Sequence, residues 1–422
     1  MVRGGSRLSS KALQHLAAFE PRKALPILRR EADKSPTYGA LVNYAAAQRG
    51  VGRILEAKET LHRAMSLDLS RPEAWSNLGQ ISEDLGEFDK APPYFQRALE
   101  CIEKSGVPVS SAGEPLLGFA YSLMRLGQFQ FVWPIWEAAR LNKTWTPFQG
   151  LHAWKGEPDA RLLVLPEGGF GDGFNFLRWI EWLPAAQITI LVWDSMFEYT
   201  SHVFRRRLST GDTLPRVLPI SHKFKYDELA QYTHCTPYLS LMVHSMKTWA
   251  DIPPPLDWEP RGRLVAPPND WIGFCWRAEE NGVMRQIRSL DRLTASRVGK
   301  HLAANCERVV GLVPSGKHMH REGVSQAPRG VTQDDSLLVD WEHTALTMLK
   351  CRLIVTVDTA IAHLAASLGI PTLILLPLRS DWKFGLPPAT TTAFYGRNVK
   401  LYRSLSPTDW DVAEICKAID GM

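Results

Sequence analysis

Between Leu41 and Ala139 the large and small apolar positions return at a fixed interval. Leu41, Tyr44, Ala45, Gly52, Ala57, Leu61 and Ala64 recur 34 residues later as Trp75, Leu78, Gly79, Gly86, Ala91, Phe95 and Ala98. Leu116, Phe119, Ala120, Gly127, Val132, Trp136 and Ala139 carry the pattern a third time, after a seven-residue insertion around SGVPVSSAGE. A period of that length predicts stacked helix-turn-helix hairpins. Ala45, Gly79 and Ala120 are small enough for one helix to lie close on the next, and Trp75, Phe95 and Trp136 are expected to fill the space between pairs. Residues 24–36 match a second helix alone, so they read as a partial repeat or a cap. Such arrays present a concave groove and supply no chemistry themselves.

From about residue 161 the texture changes to β-branched and leucine runs alternating with helices, the pattern of parallel strands covered on both faces. ARLLVLPEGGFGDGFNFLRWIEWL predicts strand, glycine turn and helix, ITILVW a second strand and RVLPI a third. A proline-rich stretch from Pro253 reads as a linker, after which WIGFCW, RVVGLVP, LIVTV and TLILLP open further strands. The predicted class is α + α/β: a helical solenoid over residues 1–145, a first α/β lobe over 146–255, a second over 256–405 and a terminal helix over 406–422. Two doubly wound lobes in tandem place a ligand cleft between the carboxyl ends of their sheets.

The glycine turn carries Gly168, Gly169, Gly171 and Gly173, yet Phe174 or Phe176 stands where the last glycine of a dinucleotide fingerprint belongs, so no dinucleotide or other cofactor is expected. Gly169, Gly171 and Gly173 would let another molecule approach the backbone. Asp172 between them reads either as an N-cap or as an exposed general base.

Residues 353–377, LIVTVDTAIAHLAASLGIPTLILLP, hold the second candidate. The strand ends at Asp358 and a helix begins at Thr359, so free N–H groups there can meet an anion, with Ala360 and His363 on the same end. Taken singly, Thr359 is a cap and His363 a core histidine; together at a cleft they point to a phosphate site. Asp381 and Trp382 follow the next strand, where they either bond and stack on a nucleoside or pack in the core.

Net charge is +5 and the six cysteines form no CxxC, which excludes a nucleic-acid coat, a disulfide framework and a zinc site, and fits a reducing cytoplasm. No segment reads as a leader or a membrane span. Asp409-Trp410-Asp411 reads as helix-capping rather than metal-binding, His318 and His320 as loop, and Arg205, Arg206 and Arg207 as a solvated face that a nucleic acid could use.

The first 142 residues resemble the tetratricopeptide repeat family from about residue 8. DTAIAHLAASLGIPTLILLPLRSDWKFG, LPEGGFGDGFNFLRW, WIGFCWRAEENGVMRQIRSL and VVGLVPSGK resemble, over about residues 160–415, the ADP-heptose:lipopolysaccharide heptosyltransferase family, especially its relatives fused behind such repeats. The resemblance implies a GT-B fold of two Rossmann-like lobes and an inverting, metal-independent transfer from a nucleotide-sugar. It implies a base at Asp172, a diphosphate among Thr359, Ala360 and His363, and positive charge from Arg277, Arg285 or Arg288. Where those relatives often have Trp-Ala-Gly, this chain has Trp276-Arg277-Ala278. The partners expected are a nucleotide-sugar donor and a protein or glycan acceptor docked by the repeats. The alternatives are a modified base in DNA as acceptor, or a non-catalytic scaffold.

Overall fold

The computed structural model describes residues 7–144, 150–206, 215–256, 269–278, 288–314, 327–407 and 409–422. The chain opens with eight helices in four hairpins: α1 (Arg7–Ala17), α2 (Pro21–Lys34), α3 (Tyr38–Gly50), α4 (Ile54–Leu67), α5 (Pro72–Asp84), α6 (Ala91–Lys104), α7 (Gly113–Arg125) and α8 (Phe129–Thr144). Segment 24–36 is therefore the second helix of a complete hairpin with α1. After α3, α5 and α7 the chain turns on Gly52, Gly86 and Gly127, whose φ angles of 84°, 75° and 72° favour glycine. The matching turn after α1 has Phe19 instead, at φ 57°, which is why the first repeat escapes the sequence pattern.

Phe95 is fully buried among α5, α6 and α7. A Cβ at Gly79 would lie 2.9 Å from its ring and one at Gly118 only 2.5 Å, so both glycines exist to admit it. Trp75 is only half-buried: its ring lies 6.3 Å from Tyr94 on α6 with Arg97 over it at 5.9 Å, and its indole N–H donates to the Leu69 carbonyl at 3.0 Å.

The first sheet contains β1 (His152–Ala153), β2 (Arg161–Leu165), β3 (Gln187–Val192), β4 (Arg216–Pro219) and β5 (His234–Pro237), all parallel, in the order β1-β5-β2-β3-β4. The second contains β6 (Asn269–Cys275), β7 (Arg308–Gly311), β8 (Cys351–Val357), β9 (Thr372–Leu376) and β10 (Val399–Arg403), also parallel, in the order β10-β9-β8-β6-β7. Around them run α9 (Phe170–Phe176), α10 (Phe197–Arg206), α11 (Tyr226–Leu229), α12 (Arg292–Ala303), α13 (Trp341–Met348), α14 (Ala360–Ser367) and α15 (Val412–Asp420). Asp411 caps α15, accepting from the Ala413 and Glu414 amides at 2.9 and 3.2 Å, and α15 packs on α12 and β9.

One apolar core runs from Ala120 on α7 through both sheets to Ile419. The last hairpin thus belongs to the packing of the lobes. Trp133 and Trp136 on α8 donate their indole N–H groups to the Met246 and Leu239 carbonyls at 2.5 and 3.1 Å. Phe129 on α8, Trp249 of the first lobe, and Trp382 and Phe394 of the second meet edge to face, with Phe129 to Trp249 at 4.8 Å and Trp382 to Phe394 at 5.3 Å.

Gly118→Ala is expected to force the Phe95 ring aside at a cost on the order of 1–3 kcal/mol. Thermal unfolding of that variant should show a lowered melting temperature, while Gly106→Ala, whose Cβ would meet nothing within 4 Å, tests the strained φ of 78° without a clash.

Candidate active site

β2 delivers the chain to a turn in which Gly168 has a φ of 77°, and a Cβ there would fall 2.3 Å from Asp172 Oδ2. The turn therefore closes on the carboxylate. Asp172 Oδ2 accepts from the Gly169 amide at 2.8 Å, and Gly169 is the N-cap of α9. Asp172 is thus not the cap; it reaches back to it from the third helical position. Burial raises the Asp172 carboxyl above its usual range, with Asp381 and Glu167 adding, against Lys383 and the Gly169 amide.

On the facing lobe, β8 ends at Val357 and Thr359 begins α14 in extended backbone. The Thr359 side chain makes no cap bond; its hydroxyl lies 3.2 Å from Thr356 Oγ1 and 3.7 Å from Cys275 Sγ. His363 is 4% exposed, with Nδ1 hydrogen-bonded to the Tyr395 hydroxyl. A Cβ at Gly171 would stand 2.8 Å from His363 Cδ2 and 3.4 Å from Ala360 Cα, so α9 and α14 touch across the lobes. α9 thus covers His363 from that side, while Thr359 and Ala360 remain half-exposed at the start of α14. Burial, helped by Lys383, Arg178 and Arg288, pushes the His363 pKa well below its usual value and keeps the ring neutral.

Among the described residues, Lys383 is a buried cation at the site. Its Nζ lies 3.1 Å from Asp381 Oδ1, and although burial works against its charge, Asp381, Asp172 and Asp358 together hold its pKa well above the usual one. Asp381 also accepts from the Lys383 amide at 3.0 Å, so it orients Lys383 where the sequence suggested a nucleoside contact. Arg288 Nη1 lies 3.8 Å from Asp358 Oδ2. Burial, with Asp381 adding, pushes Asp358 up to about 6.

Trp382 is 2% exposed within the aromatic junction, which corrects the stacking alternative: no ring face is open to a base. Trp276 is buried with its ring 5.6 Å from Phe274. Gly173 is likewise closed to a ligand, since a Cβ there would meet Met196 at 2.9 Å. The Arg277 carbonyl accepts from Cys275 Sγ at 3.5 Å. Arg285, Arg207, His318 and His320 lie outside the described residues.

Four contributors escaped the sequence reading. Lys383 sits between aromatic neighbours that read as core. Tyr121 on α7 is half-buried, and α7 packs on the 382–384 turn that carries Lys383, so the array borders the site. Tyr395 holds His363, and Arg178 of the first lobe donates to the Pro253 carbonyl at 3.1 Å and the Phe394 carbonyl at 2.7 Å. Only a residue's place in the fold marks these; no local motif does.

The array grips both halves. Arg140 on α8 holds Glu167 at 2.9 and 2.7 Å. Arg379 pairs with Glu83 at 2.8 Å and Asp84 at 2.7 Å, both on α5, while Arg125 donates to the Ser380 carbonyl. Among the described residues no group of three or more His, Cys, Asp or Glu is placed to hold a metal, and no helix is long and apolar enough to cross a membrane.

Comparison with known proteins gives two groups of similar structures. No family model and no curated protein matches the chain. The Escherichia coli ADP-heptose LPS heptosyltransferase II structure is 15% identical over 62% of this chain and 98% of that one, with a TM-score of 0.40. A glycosyl transferase family 9 structure from Veillonella parvula is 13% identical over 63% and 91%, with a TM-score of 0.36. On the helical side, the Cut9–Hcn1 structure is 17% identical over 32% of this chain, which spans about a quarter (26%) of that one, with a TM-score of 0.30. Likenesses at these scores assign no activity.

Because the folded pKa of Asp358, about 6, exceeds that of an unfolded aspartate at ~3.9, its contribution to stability is full below the lower value and lost as pH rises through the higher. Asp358→Asn should therefore flatten the fall in melting temperature between these two pH values; an unchanged profile would assign the titration to another group.

Proposed function

We propose that the chain is a glycosyltransferase that moves a sugar from a nucleotide-sugar to an acceptor hydroxyl, with inversion and without a metal. The observation that carries this reading is the contact of the two lobes at α9 and α14, where Gly171 lies against His363 and Ala360. Asp172 stands next to Gly171 on one side, and the Lys383–Asp381 pair, 3.1 Å apart, lies on the other, close enough for the charges of Asp172 and Lys383 to act on each other. A displacement at the anomeric carbon removes a proton from the acceptor while charge grows on the departing diphosphate. Asp172, with its raised pKa, is suited to take the proton. Lys383 and Arg288 are suited to meet the phosphate charge, each held in place by its own aspartate, Asp381 or Asp358. The neutral His363 seats α14 against Gly171 and fixes the distance between the two halves. The packing of α7 on the 382–384 turn brings the array to the edge of the cleft, which supports a role for the repeats in docking a protein or glycan acceptor. The nucleotide-sugar is a co-substrate, and no further cofactor enters the scheme. Soluble cytoplasm is the setting that suits six free cysteines.

Turnover over a panel of nucleotide-sugars tests the reading. Asp172→Asn should lower kcat by ~10²- to 10⁴-fold with little change in donor affinity. Equal turnover in the variant removes Asp172 from the mechanism. A parent protein that neither turns over any donor nor shows a melting shift with any nucleoside diphosphate supports the non-catalytic scaffold instead.

A further inference from the structure

The His363 ring is boxed on three sides. Phe384 lies nearly parallel to it, 6.4 Å away at 12°. Gly171 covers the edge that carries Cδ2 and Nε2, where a Cβ would stand 3.3 Å from Nε2, and the Tyr395 hydroxyl is hydrogen-bonded to Nδ1. The ring therefore has one orientation, with Nδ1 turned into the second lobe and Nε2 turned to the seam beside Gly171 and Ala360. Thr359 and Ala360 are half-exposed at that seam, so Nε2 is the ring nitrogen nearer a ligand at the start of α14.

A neutral imidazole carries one proton, and the partners of its two nitrogens decide which of them holds it. Tyr395 is buried, and among the described residues its hydroxyl has no hydrogen-bond partner besides Nδ1. Were the proton on Nδ1, the phenol could only accept, and its own proton would be buried without an acceptor, an arrangement that costs the full desolvation of that group. With the phenol donating, one bond satisfies both groups. Arg178 of the first lobe biases the pair the same way. Its Nε donates to the Asn175 carbonyl at 2.8 Å and its Nη1 to the Pro253 and Phe394 carbonyls at 3.1 and 2.7 Å, which fixes the guanidinium over the Tyr395 ring, 5.7 Å from its centre. Burial, then the charges of Lys383, Arg178 and Arg288, keep His363 from taking a second proton. Burial also keeps the Tyr395 phenol protonated, while Arg178 and Lys383 favour the polarised O–H that makes it a good donor.

We propose that Tyr395 is a positioning residue for His363: its hydroxyl donates to Nδ1, places the ring proton on Nε2 and makes the histidine a fixed donor to a phosphate oxygen at the start of α14. His363 is then neither a base nor a cation in the site. The inference rests on the reading of the cleft as a nucleotide-sugar site. It adds a control that holds only while the lobes meet, since Arg178 and Gly171 come from the first lobe and His363, Phe384 and Tyr395 from the second.

Long-range proton–nitrogen NMR of the full chain, isotope-labelled at histidine, reads the tautomer directly, with His363→Gln identifying the signal. The parent should show a protonated Nε2 and an unprotonated, hydrogen-bonded Nδ1. Tyr395→Phe keeps the ring and removes the hydroxyl. It should move both nitrogen shifts towards those of a mixed tautomer and lower, about tenfold, the calorimetric affinity for the nucleoside diphosphate that most raises the melting temperature. Ser367→Ala removes a bond at 3.0 Å to the His363 carbonyl without touching the ring. It should keep the parent's shifts and affinity, which separates loss of the hydroxyl from a loosening of α14. If the parent shows no melting response to any nucleoside diphosphate while the shifts of parent and Tyr395→Phe are as described, the enzymatic reading fails and the positioning of His363 stands. A proton on Nδ1 in the parent, shifts or nucleotide affinity that Tyr395→Phe leaves unchanged, or an equal change in Ser367→Ala would overturn the proposal.

Discussion

Arg140 on α8 holds the Glu167 carboxylate with two hydrogen bonds, and Arg379 is held by Glu83 and Asp84 on α5. One joint lies five residues before Asp172 and the other four before Lys383. Taking ions out of water costs about as much as their attraction returns, so such joints add little stability compared with apolar packing. Removing one partner is different, since the remaining charge is then buried alone at a cost of about 3–5 kcal/mol. The joints therefore act mainly by location: each forbids its loop from moving while the array stays folded. The catalytic geometry proposed for the cleft is set by helices that contain no catalytic base.

The apolar packing works to the same end. Phe129, Trp249, Trp382 and Phe394 bring array, first lobe and second lobe to one point, and Gly127 is kept bare because a Cβ would press within 2.8 Å of the Trp249 indole nitrogen. Arg178 crosses from the first lobe to the Phe394 carbonyl, and burial lowers its pKa to about 10. Gly171 lets α9 lie directly on α14. Asp172 and Lys383 are thus held in register by a shared core, which is what preorganised charge stabilisation requires.

Much of this architecture was legible in the residues. The 34-residue period identifies three hairpins, and the β-branched runs identify β2, β3, β6, β8 and β9, because buried parallel strands must be apolar on both faces. β5, with the sequence HCTP, and β10, with VKLYR at the sheet edge, lack such runs and were silent. Asp172 stood out because glycines flank it. Lys383 did not, because a lysine between Trp382 and Phe384 carries no local sign that it pairs with Asp381 within the charge field of Asp172 and Asp358. The role of Trp382 narrowed for a related reason: sequence places it at the cleft, but only the aromatic junction shows that its faces are covered.

The central claim is that the array positions Lys383 through Arg379. A double-mutant cycle tests it most directly, using calorimetric affinity for the nucleoside diphosphate that most raises the melting temperature. The account predicts that Arg379→Met weakens binding when Lys383 is present and changes nothing further in a Lys383→Met background. Losses that simply add would contradict it.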